Sequence, residues 1–168
     1  MTAVAHIDRR VGSAIRRGVS AAAHGPAIAE AFASALAPGF RLTVTLLIAR
    51  RARRGSGLRA LAAGGAAATL ARILRDRLGR RRPGARPEGG FPSRHAAAAT
   101  AIAASVVHRE PGLGRVLVVA TALGGVARVA TAEHEPADIA AGVALGLLVA
   151  HSQQWAICRL RTARGPFT

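Results

Sequence analysis

The chain has 168 residues, a length that suits one domain. It is 51% hydrophobic, with a formal charge of +16 and a mean hydropathy of +0.27. That pairing leaves a membrane protein with arginine-rich loops or a nucleic-acid binder, and a 3% aromatic content with no Tyr argues against the stacking platforms of single-strand binding.

Every basic residue is Arg. With the abundant Ala and Gly this reads as a coding bias, so an Arg where a motif expects Lys signals little changed chemistry. The single Cys158 excludes an intrachain disulfide framework and a cysteine zinc site, and is expected to be a packing residue.

In chain order, residues 4–20 have a weak helical pattern with Arg9, Arg10, Arg16 and Arg17 on one side. They lack the continuous apolar core of a signal peptide. Residues 1–26 are expected to form an amphipathic segment on a membrane surface. Residues 27–49 are long enough to cross a bilayer, which takes about 20 residues. Glu30, Arg41 and Pro38-Gly39 interrupt this stretch, which leaves one span or two shorter helices hinged at Pro38. A basic turn, RRARRGSGLR, occupies 50–59, and a second span covers 58–74. After a hydrophilic stretch at 75–94, further helices are expected from 95 to 108, 117 to 132 and 137 to 157. Their Ala and Gly content suits close helix–helix contact in a bilayer, with Gly64-Gly65 and Gly124-Gly125 as packing positions.

Arginine-rich loops tend to stay cytoplasmic. With 50–59 inside, alternation puts 108–115 and the basic tail inside as well. Segments 75–94 and 128–138 then share the extracytoplasmic face. The seven Arg of 75–94 violate the rule there, which gives them another task. The basic N-terminus favours an even number of crossings before Arg50, splitting 18–49 in two.

Three polar clusters therefore meet on one face, each at a helix boundary. Ser93 is an N-cap for the helix that follows, and the N–H groups near 94–96 with the dipole behind them make an anion site. Arg75, Arg82 and Arg128 can surround the same anion with guanidinium forks that match phosphate oxygens. His134 and Asp138 are four apart; if the last helix extends back to 134, both lie on one face and the carboxylate orients the imidazole. His95 supplies a second imidazole able to protonate a leaving group. His6, His24, His108 and His151 have no matching partners. Arg50, Arg51, Arg53 and Arg54 read as an anchor to anionic lipid. Glu133 and Glu135 flank His134 without an assigned role.

Arg75-x6-Arg82-Pro83, Pro92-Ser93-Arg94-His95 and Ala127-Arg128-x5-His134-x3-Asp138 resemble, in order and spacing, the three motifs of the type 2 phosphatidic-acid phosphatase (PAP2) superfamily. The resemblance implies an all-α, multi-pass transmembrane bundle of about five to six helices, of the PAP2/haloperoxidase-like type. It implies one domain over 1–168, with the catalytic motifs in 75–138, in the cell membrane with its site on the extracytoplasmic face. It implies hydrolysis of a lipid phosphate, without metal or cofactor. In that scheme His134 attacks phosphorus and Asp138 orients it. His95 protonates the leaving oxygen, and Arg75, Arg82, Ser93 and Arg128 hold the phosphoryl oxygens. The chain departs from the pattern at three places: Arg75 for Lys, Ala127 for Ser, and Arg94 for Gly, the last adding a cation suited to a second phosphate or a head group. Polyprenyl diphosphate or a polyprenyl-phosphoryl sugar phosphate is the favoured substrate. Phosphatidate or phosphatidylglycerophosphate comes next. A non-catalytic basic membrane scaffold is a further alternative. Membrane lipids are the expected partners, and the apolar spans exclude nucleic acid.

Overall fold

A computed structural model describes residues 3–78 and 90–163, with the side chains of residues 3 and 4 left aside. Among the described residues the chain is helical: α1 (Ala3–Ala21), α2 (Gly25–Ala49), α3 (Arg54–Leu78), α4 (Arg94–Val107), α5 (Pro111–Ala130) and α6 (Pro136–Ala163), with a 3₁₀ turn at Arg51–Arg53. Each apolar segment of the sequence becomes one helix. Pro26, Pro111 and Pro136 stand at or beside helix starts, where a missing N–H costs nothing. Pro38 lies inside α2, which nevertheless runs unbroken. The 18–49 region therefore does not divide at Pro38: α1 ends at Ala21 and a single long α2 follows.

α4 is the central element and packs against α2, α3, α5 and α6. Its neighbours come close because the contact residues are small. Ala63, Ala67 and Ala71 of α3 meet Ala97 and Ala101 of α4 in a fully buried seam. A Cβ on Gly142 would lie 2.5 Å from the Ser93 carbonyl oxygen, and one on Gly146 would lie 2.5 Å from that of Ala97, so only glycine lets α6 approach α4 this far. Gly64 packs on Ile102, Gly124 on Leu36 and Gly125 on Ile139, as expected, whereas a Cβ on Gly65 would meet nothing within 4 Å, so that glycine is not a packing position. A second cluster around Leu36, Phe40, Val44, Leu47 and Leu117 joins α2 to α5 and α4.

The exterior inverts the usual order of sizes. Leu42, Leu46, Leu61, Leu70, Ile73, Val116, Val119, Leu123, Leu148 and Leu160 are exposed, while the buried residues are largely alanine and glycine. An outward belt of large aliphatics around a small-residue interior suits lipid contact. α2 and α5 are each long and apolar enough to cross a membrane. Cys158 is exposed on α6 and does not pack in the core, a correction to the sequence reading.

The helices alternate in direction, so α3 and α5 end where α4 and α6 begin. The opposite end collects the basic turn: Arg53 pairs with Glu110 at 3.4 Å, and Gln153 Nε2 donates to the Arg59 carbonyl at 3.2 Å. Trp155 faces outward near that end, with the Arg159 guanidinium 4.6 Å from its ring centroid. α1 lies across the first end and touches α2, α5 and α6.

Candidate active site

Ser93 caps α4. Its backbone is extended, and its Oγ accepts from the Ala96 N–H at 3.4 Å. The side chain is fully buried. The Ser93 N–H donates to the Asp138 carbonyl at 2.9 Å, which pins the start of α4 to the first turn of α6. The Ser93 Oγ then stands 3.3 Å from His134 Nε2.

His134 sits in the tight turn between α5 and α6. The Glu133 and His134 N–H groups both donate to the Arg128 carbonyl, at 3.0 and 3.2 Å, and Thr131 Oγ1 does so at 3.4 Å. Ala132 takes a φ of 55° to close this turn. α6 starts only at Pro136, so His134 is not on the helix as the spacing suggested. The turn still brings Nδ1 to 3.4 Å from Asp138 Oδ2. The same Oδ2 accepts from the Glu135 N–H at 3.0 Å, as the third residue of a helix does in a capping box. Asp138 is thus held by the helix start while it holds the imidazole. With the Nδ1 proton directed at this carboxylate, Nε2 carries the lone pair, toward the Ser93 hydroxyl. His134 and Asp138 are 1% and 2% exposed, so their interaction is little screened.

Arg128 is 8% exposed, in the last turn of α5. One guanidinium nitrogen donates to the Ala33 carbonyl of α2 at 3.2 Å, and another pairs closely with the Glu133 carboxylate. The cation is thus aimed, and an internal carboxylate occupies part of its fork. A cavity of about 820 Å³ opens beside it, lined by Glu30, Arg41, His95, Arg128, Thr131 and Glu133 among others. An apolar groove of about 540 Å³ runs between α2, α3 and α4. Phe40, Val44, Leu61 and Ile102 are among its walls, and Arg41, Arg94 and His95 line it as well. His95 and Arg41 therefore belong to both spaces.

The structure thus brings Ser93, His134 and Asp138 together, ties them to Arg128 through its backbone carbonyl, and sets the Arg128 and His95 side chains on the wall of one cavity, whose lining does not include Ser93, His134 or Asp138. Arg94 is exposed and lines the groove rather than the cavity. Arg75 is in the last turn of α3 and pairs with its neighbour Asp76 at 3.2 Å; it lines neither space. Arg82 lies outside the described residues, as do Pro83, Arg80, Arg81 and Arg86. Ala127 packs against Ala29 and Ala33 of α2, so the hydroxyl missing from the motif is replaced by an apolar helix contact. Three polar residues outside the motif readings join the site: Glu133 on Arg128, and Asp8 and Arg16 of α1 on the turn after His134. Asp8 carried one signal in the sequence: it is the sole acid before Glu30 on a helix full of arginine.

A helical bundle with small-residue seams, and a buried Ser–His–Asp line beside a fixed arginine, define the class. The sequence profile of the PAP2 superfamily matches residues 56–158, and the chain belongs to that superfamily; it is a phosphatase of the PAP2 type and a membrane protein. Among solved structures, the fold resembles that of the transmembrane PAP2-type phosphatidylglycerolphosphate phosphatase from Bacillus subtilis. The TM-score is 0.72 at 22% identity, covering 100% of this chain and 90% of that one. No protein of curated function matches in sequence.

Proposed function

We propose that the chain is a multi-pass membrane enzyme that hydrolyses a lipid phosphate or diphosphate through a phosphohistidine on His134, with its site on the extracytoplasmic face. The observation that carries this reading is the line Ser93 Oγ–His134 Nε2, His134 Nδ1–Asp138 Oδ2, at 3.3 and 3.4 Å, beside Arg128 and the His95-lined cavity. His134 and its orienting carboxylate are in contact, Arg128 and His95 line one cavity, and an apolar groove that suits a lipid chain shares His95 and Arg41 with that cavity.

The phosphoryl group enters beside Arg128, whose guanidinium exchanges Glu133 for phosphoryl oxygens. The Ser93 hydroxyl turns from Nε2 to the same oxygens, and the N–H groups at the start of α4 add their dipole. Nε2 then attacks phosphorus in line, and the bond to the lipid oxygen breaks. His95 gives its proton to that oxygen. The imidazole cation formed at His134 is stabilised by Asp138 on Nδ1. In the second half, His95 takes a proton from water, the hydroxide attacks phosphorus, and the P–N bond breaks to release inorganic phosphate. Arg75 and Arg82 contribute further charge when substrate is bound. Each step asks the protein for position and charge, which is most of what phosphoryl transfer requires.

Arg94 at the groove supports a substrate with a second phosphate, and polyprenyl diphosphate or a polyprenyl-phosphoryl sugar phosphate is the favoured class. The activity named for the Bacillus subtilis structure favours phosphatidylglycerophosphate as a second reading. The test is phosphate release by detergent-purified protein with both lipids, in excess chelator, beside a His134→Ala control. Release that persists with chelator and disappears in the control is expected. A control as active as wild type would remove His134 from the reaction. If Arg94→Gly lowers turnover of diphosphate and monophosphate equally, the role given to Arg94 is wrong.

A further inference from the structure

α1 holds the catalytic turn along one face. Asp8, Gly12 and Arg16 recur every four residues, which places them in a row on the helix. The row meets the turn residues in reverse order. Asp8 Oδ1 accepts from the Ala137 N–H at 2.8 Å. A Cβ on Gly12 would lie 3.3 Å from Pro136 Cδ and would collide with the Glu135 carboxylate. Arg16 pairs with Glu135 at 3.7 Å. Residues 135, 136 and 137 are the whole of the chain between His134 and Asp138.

The chemistry of each contact suits its place. The Ala137 N–H is among the first in α6 and has no acceptor within its own helix. A carboxylate there also meets the positive end of the helix dipole. Asp8 is 6% exposed although Arg9 and Arg10 beside it are exposed, so its burial belongs to this contact. Glu135 is equally buried and lies directly after His134. Ile7 and Val11, each one residue before a member of the row, are 61% and 45% exposed, so the burial is confined to the row itself.

We infer that Asp8, supported by Gly12 and Arg16, is a positioning residue: α1 fixes the 135–137 backbone and so sets His134 against Ser93 and Asp138. The inference rests on His134 being the nucleophile. A displacement of about 1 Å at a reacting group can cost about a hundredfold in rate. Asp8→Ala is therefore expected to lower kcat by about 10–100-fold with KM within about twofold of wild type. Asp8→Asn keeps an oxygen acceptor for the Ala137 N–H and is expected to recover most of kcat. Gly12→Leu keeps the Asp8 side chain but pushes α1, and Asp8 with it, off the turn, so it should lose kcat in the same way.

The experiment is steady-state hydrolysis of a phosphatidate and a polyprenyl diphosphate by the detergent-purified full chain, with thermal unfolding recorded for each variant. A kcat loss in Asp8→Ala, relieved in Asp8→Asn, supports the inference. Wild-type kcat in Asp8→Ala, a loss confined to KM, or equal losses in the Ala and Asn variants would overturn it and leave the phosphatase reading intact. If Asp8→Ala fails to fold, Gly12→Leu decides: a folded protein with wild-type kcat overturns the inference. No turnover of either lipid by the wild type would overturn the phosphatase reading, and this inference with it.

Discussion

Replacing Asp138 by asparagine keeps the shape of the turn and removes one charge. In the native site Asp138 Oδ2 accepts from the Glu135 N–H at 3.0 Å and faces His134 Nδ1 at 3.4 Å. One oxygen makes both contacts, so an asparagine that places its amide oxygen there keeps both and leaves the Nδ1 proton where it is. What it loses is the negative charge beside the imidazole, which in the proposed reaction becomes a cation when Nε2 bonds to phosphorus. A hydrogen bond to a charged partner is worth about 1–2 kcal/mol more than a neutral one, so a loss of about 5–30-fold in kcat is expected. Asp138→Ala removes the acceptor altogether and leaves the Glu135 N–H unpaired, at a cost of about 1–3 kcal/mol. Its signature should be a larger loss of kcat and a fall in Tm of about 2–4 °C for each kcal/mol lost, where Asp138→Asn stays near wild type in Tm. The assay is kcat for both variants, with Tm measured in the same detergent. Wild-type kcat in Asp138→Asn would refute the charge argument.

Other substitutions probe the same geometry from different sides. Gly142→Leu puts side-chain atoms against the Ser93 carbonyl and should destabilise by about 1–3 kcal/mol, lowering both Tm and kcat; unchanged Tm would show that α6 moves aside freely. Glu133→Gln removes the internal carboxylate from Arg128. For a pair 28% exposed on the Glu side this is worth about 1 kcal/mol, so inhibition by inorganic phosphate should tighten about 3–10-fold. An unchanged inhibition constant would mean that Glu133 and phosphate do not compete. Ala132→Gly relieves a left-handed backbone at φ 55° and should raise stability by about 0.5–1 kcal/mol, seen as a higher Tm.

Much of this protein was legible in its sequence because helix length, apolar runs and motif spacing are local. The segments 27–49, 58–74, 95–108, 117–132 and 137–157 each yielded a helix, though α5 begins as early as Pro111 and α6 runs on to Ala163, and Ser93 caps α4 as its type suggests. What was hidden depends on contacts between distant parts of the chain. The i,i+4 spacing of His134 and Asp138 suggested a shared helical face, yet α6 begins two residues after His134. The pair forms because the Arg128 carbonyl gathers the Glu133 and His134 N–H groups into a turn, which no periodicity encodes. Ala127 looked like a lost hydroxyl, whereas its neighbours are Ala29 and Ala33, about a hundred residues away in sequence. Pro38 and Gly39 looked like a break, but packing along α2 by Leu36, Phe40 and Val44 keeps the helix whole.

The alanine and glycine content also bears on the chemistry. The Ser93 hydroxyl reaches His134 only if the N-terminus of α4 lies against the first turns of α6. That approach is set where Gly142 leaves room for the Ser93 carbonyl and Gly146 for that of Ala97, along one stripe of α6. A larger residue at either position would push the helices apart by about the width of a methyl group, more than the 3.3 Å contact can absorb. The small-residue stripe that packs α6 on α4 is therefore also what sets the distance between the start of α4 and His134.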